Sequence, residues 1–472
     1  MSNQDCDIGL IGLGTMGRNF VLNMADHGFA VAVYNRTTEK TKDFMENEVG
    51  ARPIQAGYDL QEFVGLLRRP RALILLVAAG DPVDAVIREL LPLLSPGDFI
   101  IDGGNSHFTD TNRRGRFLSG KNLNFMGMGI SGGEAGARHG PSLMPGGSRE
   151  TYARVGPILE AAAAHVNGDP CVTYLGPGSA GHYVKMVHNG IEYGLMELIV
   201  ETYDLLKRGL GLTPAELAPL YDRWNQEELN SFLVSITAKI LARRDDRTGK
   251  PLVDMILDKA RQKGTGMWTS WDAMDLQVGT PTIDVAVVMR DMSGYKEERR
   301  AAAQFLTGPS PIFKGDRERF LDQVKNALYA GMIATYAQGM ALLQKASSVY
   351  GYGLDLEAVA RIWRGGCIIR AALLEDIRTA YQARSDLPNL LMDPRLGKEF
   401  LSRQADLREV VKVAVTLGLP APALMVTLGY FDAYRSAVLP ANLIQAQRDF
   451  FGAHPYERLD APGAFHTQWE EE

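Results

Sequence analysis

With 472 residues, 46% of them hydrophobic, the chain can bury a large core and is expected to divide into two or three domains. A formal net charge of −6 and a pI near 5.9 exclude a general nucleic-acid binder but leave room for a local basic cluster around a small anion. Cys6, Cys171 and Cys367 are odd in number and in no CxxC spacing, residues 1–7 carry no basic leader, and no apolar run is long enough to span a bilayer, so a cytoplasmic protein with reduced thiols, no metal site and no membrane contact is expected.

In chain order, residues 8–11 form a short apolar strand that runs straight into Gly12-Leu13-Gly14-Thr15-Met16-Gly17, and residues 18–27 follow with helical periodicity. This is GxGxxG in its strand–helix context. The first glycine permits the tight turn, the second lets a pyrophosphate approach the backbone, and the third lets helix and strand pack closely. A second strand over 29–34 ends about 20 residues on, where an acid would bind the ribose 2′-hydroxyl of NAD. Here the chain reads Asn35-Arg36-Thr37, a cation between two small hydrogen-bonding residues, which suits a 2′-phosphate and points to NADP.

Strands over 72–77, 99–102, 124–126 and 172–174 and a helix over 82–93 continue a doubly wound α/β pattern. Ligands of such sheets lie at the carboxyl ends of strands, which singles out Asn105 in Asp102-Gly-Gly-Asn-Ser106, and Ser131, Gly132 and Gly133. An amide can both donate and accept, and a hydroxyl beside exposed N–H groups fits a carboxylate. Both loops equally fit turns that need positive φ.

Strand signals stop near residue 180. The expected organisation is an α/β Rossmann-like domain over 1–179, an all-helical domain over 180–438 and a C-terminal tail over 439–472. A glycine-rich turn at 178–181 opens a helix on which Lys185, His188, Asn189 and Glu192 share one face, with Lys185 and Glu192 two turns or roughly 10 Å apart. A possible base and a possible acid on one face suit a reaction that removes a proton at one carbon and delivers one at another. A solvated polar face would show the same spacing, but the apolar run Leu195-Met-Glu-Leu-Ile-Val200 carries this helix into a core.

The segment from Val184 to Ala218 is echoed by Val324 to Ala360, which suggests a duplicated helical domain; the second copy has Leu328, Tyr329 and Met332 near the places of His188, Asn189 and Glu192. A glycine-rich loop over 261–269 carries Lys263 and Thr265, and Arg290 closes a helix-like run over 283–289. Either could bind a phosphate. The tail pairs Arg448 and His454 with an aromatic cluster at a chain end that would normally fray.

The runs Asp102-Gly-Gly-Asn-Ser106, Ile130-Ser-Gly-Gly-Glu-Ala-Gly-Ala-Arg138, Lys185-Met-Val-His-Asn-Gly-Ile-Glu-Tyr193, Lys263-Gly-Thr-Gly266 and Gln447-Arg-Asp-Phe-Phe-Gly-Ala-His454 resemble, in order and over essentially the whole chain, the family of decarboxylating 6-phosphogluconate dehydrogenases. The resemblance implies oxidation of 6-phosphogluconate by NADP, without a metal, to ribulose 5-phosphate and CO2, on a pentose phosphate route or a gluconate branch. It implies Lys185 as base and Glu192 as acid, with Ser131, Gly132, Gly133, His188 and Asn189 on the sugar acid and Asn105 near the nicotinamide. Tyr193, Lys263, Thr265 and Arg290 would clamp the 6-phosphate. Gly12 to Gly17, Asn35 to Thr37 and the turn Val77-Ala78-Ala79 would face the coenzyme, and Arg448 and His454 would enter the site of the other subunit of a homodimer.

Three positions depart from the family pattern. Ala78 stands where a lysine that faces the coenzyme is usual, so NADP binding is expected to be weaker or less selective; Met267 stands where a second lysine and His107 where an acid is usual, and neither matches a catalytic residue. The rival readings are a non-decarboxylating β-hydroxyacid dehydrogenase of the same fold and an inactive nucleotide-binding regulatory protein; the second helical block and the presence of both Lys185 and Glu192 weigh against them.

Overall fold

The computed structural model describes residues 5–309 and 312–470; the start of the chain at residues 1–4 and the last two residues of the expected tail lie outside the described residues. Seven strands form one sheet in the order β3-β2-β1-β4-β5-β6-β7. They are β1 (Ile8–Ile11), β2 (Val31–Tyr34), β3 (Ile54–Ala56), β4 (Ala72–Leu75), β5 (Phe99–Asp102), β6 (Asn124–Ser131) and β7 (Ser142–Gly147). The first six run parallel, with Ile8 opposite Val31 and Leu10 opposite Ile74, and β7 returns antiparallel along β6. The chain order reverses between β1 and β4, which opens a crevice at their carboxyl ends.

The central strands β1, β4 and β5 are buried along their whole length, as their unbroken apolar runs require. Side chains alternate across the sheet: Ile8, Leu10, Ile74 and Ile101 enter one core, and Ile11, Leu73, Leu75 and Ile100 the other.

Several strand boundaries differ from the sequence pattern. β6 runs on to Ser131 through Gly127 and Gly129, so Ser131 ends a strand rather than lying in a loop. Nothing in the pattern marked β3, which is three residues long, or β7, whose Pro145-Gly146-Gly147 reads as a turn. Residues 172–174 are not a strand: Val172 makes one isolated bridge to Leu143. Leu143 N–H donates to Cys171 O at 2.9 Å and Leu175 N–H to Pro145 O at 2.9 Å, but Pro145 has no N–H with which to extend the ladder. β2 begins at Val31, and β4 ends at Leu75, which leaves Val77 in the following turn. The helix expected over 82–93 is Asp81–Leu90 followed by a 3₁₀ turn at Leu91–Leu93.

From Ala180 onward the chain is helical until a short hairpin in the tail. The Ala180–Asp204 and Arg317–Tyr350 helices are buried on most of their faces and pack together. The echo in the sequence has a structural counterpart. Thr213 caps the Pro214–Asn225 helix and Asp355 caps the Leu356–Trp363 helix. Ahead of the Phe232–Ala242 and Leu373–Ala383 helices, Phe232 N–H donates to Arg370 O at 3.0 Å and Ala372 N–H to Asn230 O at 2.9 Å, a pairing that treats the two halves alike.

Candidate active site

The Ala180–Asp204 helix crosses β6 and β7 at its start. Close approach is possible because β6 offers Gly129 there: a Cβ on Gly129 would lie 2.4 Å from Lys185 Cβ. Lys185, His188 and Asn189 are thereby buried, while Glu192 keeps 22% of its side chain exposed. Lys185 Nζ donates to Asn189 Oδ1 at 2.6 Å and lies 3.4 Å from His188 Nδ1.

Burial sets the protonation of this face. It pushes the Lys185 pKa down, against the pull of Glu192. Burial, with the charge of Lys185 added, holds His188 well below its ordinary value and therefore neutral at pH 7. Glu192 moves the opposite way, pushed up by burial although Lys185 and Arg290 pull it down. Burial thus shifts the amine toward neutrality and the carboxyl toward protonation, about two turns apart on one face, the directions that a base and an acid require.

Neighbouring elements complete the site. Ser131 at the end of β6 places its Oγ 3.2 Å from His188 Nε2. Gly132 follows at φ 118°, and a Cβ on it would fall 2.4 Å from Gly366 O, so the Ser131-Gly132-Gly133 turn is docked on a turn of the helical domain. Around Gly133 the space is open. Asn189 Nδ2 donates to Thr265 Oγ1 at 3.0 Å, and Thr269 Oγ1 donates to Met186 O at 2.8 Å, which fastens the Thr265–Asp275 helix to the site. Only residues up to Gly264 of the expected glycine-rich loop are loop; Gly264, at φ 97°, turns the chain into that helix. Lys263 is exposed and free of hydrogen bonds and ion pairs among the described residues. Arg290 lies inside the Pro281–Gly294 helix, not at the end of a shorter run, and its guanidinium stands 3.3 Å over the centroid of the Tyr193 ring.

At the carboxyl ends of β1, β2 and β4 a cleft of about 490 Å³ is lined by Gly12, Asn35, Arg36, Thr37, Val77 and Ala78, among others. Leu13 N–H donates to Asn35 Oδ1 at 3.0 Å, tying the glycine turn to the end of β2. A Cβ on Gly17 would lie 1.9 Å from Gly12 O, whereas one on Gly14 would meet nothing within 4 Å, so the turn is closed toward the protein and open toward a ligand. The Thr15–Asp26 helix has no side-chain cap and no acid in its first turn, which leaves its first N–H groups for an anion. Arg36 is exposed, and Lys40, which no motif marked, lines the same cleft. These features fit a dinucleotide carrying a 2′-phosphate; Ala78 adds no charge.

Asn105 is exposed on a loop that a buried network holds. Asp102 accepts from Gly104 N–H at 3.1 Å and from Ser106 Oγ at 2.6 Å, and Arg114 joins Asp102 at 3.3 Å to Asp84 at 2.9 Å. Only Asn105 of this group stood out in the sequence, because the network depends on contacts that no local pattern encodes. The other departures from the family pattern face apolar surroundings. His107 stacks on Phe108 and meets Trp268 edge-on, each with centroids 4.8 Å apart, and Met267 packs with Tyr193, Ala286 and Val287. Arg448 and His454 are exposed in the tail, and their contacts stay within it: Arg448 donates to Gln445 Oε1 at 3.1 Å and His454 meets the Phe451 ring. The structure therefore gathers Ser131, Lys185, His188, Asn189 and Thr265 into one cluster and Gly12, Asn35, Arg36, Thr37, Val77 and Ala78 into a cleft, while Asn105 and Lys263 stand exposed on loops and Arg448 and His454 stay within the tail.

Comparison with known proteins agrees along the whole length. The chain matches the model for the NAD binding domain of 6-phosphogluconate dehydrogenase over residues 7–176 and that for the 6-phosphogluconate dehydrogenase C-terminal domain over residues 181–469. It is 55% identical over 464 residues to a decarboxylating 6-phosphogluconate dehydrogenase of Synechococcus elongatus, covering 98% of each chain. It is 50% identical over 471 residues to an NADP(+)-dependent, decarboxylating relative of Bacillus subtilis, covering 99% of this chain and 100% of that one. In structure it resembles the 6-phosphogluconate dehydrogenase of Plasmodium falciparum, known in apo form and in complex with NADP+ and with 6-phosphogluconate, at a TM-score of 0.95 and 44% identity, covering 98% and 100% of the two chains.

Proposed function

The chain belongs to the 6-phosphogluconate dehydrogenase family, and on that premise we propose that it oxidises 6-phosphogluconate with NADP and releases CO2 and ribulose 5-phosphate. The observation that carries the residue roles is the buried face on which Lys185 is driven toward neutrality and Glu192 toward protonation. NADP, when bound, supplies the hydride acceptor. Neutral Lys185 takes the proton of the 3-hydroxyl as that carbon is oxidised to a ketone. The resulting ammonium donates to the 3-keto oxygen and draws onto it the electron pair left by departing CO2, which gives a five-carbon enediol. Glu192 then delivers its proton to carbon 1 of the enediol while Lys185, neutral again, takes back the proton of the adjacent enol hydroxyl, and the product ketone forms.

Ser131, Gly132, Gly133, His188 and Asn189 hold the sugar acid, a role supported by the contacts of Ser131 and Asn189 around His188 and Lys185. Tyr193, Lys263, Thr265 and Arg290 clamp the 6-phosphate, supported by the free cation of Lys263 and the stacked guanidinium of Arg290. Gly12, Leu13, Gly14, Thr15, Met16 and Gly17, with Asn35, Arg36, Thr37, Val77, Ala78, Ala79 and Asn105, hold NADP.

The same proposal extends to assembly. Arg448 and His454 enter the site of a second copy, so the working unit is a homodimer with shared active sites. Exposed Leu443, Ile444 and Phe451 support this, because they leave apolar surface of the tail helix uncovered among the described residues. Three buried, unpaired cysteines, and the lack among the described residues of any helix long and apolar enough to cross a membrane, support a cytoplasmic setting.

The test is NADPH formation from 6-phosphogluconate with NADP or NAD as coenzyme and released CO2 trapped in parallel. Equal NADPH and CO2, with NADP preferred, is expected. Reduction without CO2 would assign the chain to non-decarboxylating β-hydroxyacid chemistry.

A further inference from the structure

In an exposed tail, one carboxylate is fully buried. Asp449, on the Ala441–Gly452 helix, has no accessible surface, although its neighbours Arg448 and Phe450 are exposed. Three donors from the last residues of the chain enclose it: His466 Nδ1 at 2.8 Å, Thr467 N–H at 3.0 Å and Trp469 Nε1 at 2.8 Å. One turn earlier, Gln445 makes a second tie. Its Oε1 accepts from Arg448, and its Nε2 donates to the carbonyls of His454 at 3.2 Å and Pro455 at 2.8 Å. Gly452 completes the arrangement, because a Cβ there would fall 2.9 Å from the His454 ring.

A terminal segment that buries so little apolar surface should fray unless something else orders it. These two polar ties join the helix to the segments that follow it: the Asp449 tie sits next to Arg448, and the Gln445 tie meets Arg448 itself and the carbonyls of His454 and Pro455. We propose that Asp449, assisted by Gln445, is a positioning residue that presents Arg448 and His454 as a pre-formed pair to the substrate bound by a second copy of the chain. The inference rests on the tail being part of the shared site. Ordering the pair before binding removes an entropic cost from substrate capture, so losing it raises KM and spares the proton transfers made by Lys185 and Glu192.

The experiment compares Asp449→Ala, Gln445→Ala, Arg448→Ala and His454→Ala in the full-length protein, measuring KM for 6-phosphogluconate, kcat, the NADP dissociation constant and the sedimenting mass. Asp449→Ala is expected to raise KM on the order of ten- to a hundredfold, with kcat, NADP binding and mass little changed, and Gln445→Ala to act in the same direction but less. Trp469→Phe removes one donor and keeps the ring; a smaller rise in KM is expected from it, which keeps the test open should Asp449→Ala fail to fold. An unchanged KM in Asp449→Ala or, where that variant does not fold, in Trp469→Phe, beside a raised KM in Arg448→Ala, overturns the positioning role alone. An unchanged KM in both Arg448→Ala and His454→Ala overturns the shared site and this role with it. Dissociation of Asp449→Ala into monomers would make the residue an assembly element and also overturns the proposal.

Discussion

The Ala180–Asp204 and Arg317–Tyr350 helices pack against each other and are both largely buried, yet burial acts on different groups in them. Where the first helix has His188, Asn189 and Glu192, the second has Leu328, Tyr329 and Met332. In the second, burial moves the one titratable group of that set away from the working range, pushing the Tyr329 phenol up to about 12. In the first it lowers Lys185 and raises Glu192, which brings both toward neutral pH. On the proposed reading the first helix is catalytic because it buries a cation and an anion whose shifts converge, whereas Leu328 and Met332 contribute packing.

The contrast can be broken most severely at Lys185. Lys185→Met removes the proposed base from the first helix; turnover should fall on the order of 10⁴-fold, while NADP still binds in equilibrium titration. Because a buried polar amine gives way to apolar volume of similar length, the melting temperature should hold or rise. Near-normal turnover would sink the role given to Lys185. Glu192→Gln keeps shape and removes the acid, and kcat should drop on the order of 10²- to 10³-fold, measured as NADPH formation under saturating substrate. Leu328→Ala tests the other helix: an unfolding free energy lower by about 2–5 kcal/mol is expected in denaturant titration, with kcat unchanged in the protein that remains folded. A large loss of kcat there would erase the distinction. The smallest effect concerns the cleft rather than either helix: Arg36→Asp should shift the NADP over NAD preference by roughly ten- to a hundredfold. An unchanged ratio would remove Arg36 from 2′-phosphate recognition and leave that task to Lys40.

Much of this was legible in the sequence where a local period encodes it. GxGxxG between strand and helix marked the cleft at the carboxyl ends of the strands, and the spacing of Lys185, His188, Asn189 and Glu192 marked the face proposed as catalytic, since each needs only a few turns of chain. β7 was hidden because Pro145-Gly146-Gly147 carries turn chemistry yet pairs along β6. Residues 172–174 looked like a strand, but next to Pro145 they could not build a ladder. The Asn189–Thr265 bond, the Asp102–Arg114–Asp84 network and the Asp449 ties join residues distant in sequence or lacking any periodic pattern, so only the folded chain brings them together.

The most direct test of convergent shifts is the pH dependence of kcat/KM for 6-phosphogluconate. The base must be unprotonated, so the rate should rise with pH through the lowered Lys185 titration; the acid must be protonated, so it should fall as the raised Glu192 titration is passed. A bell is therefore expected, with both limbs belonging to the coupled pair and lying between the ordinary carboxylate and lysine ranges. A rate that keeps rising to the ordinary lysine range near ~10.4, with no falling limb, would contradict it.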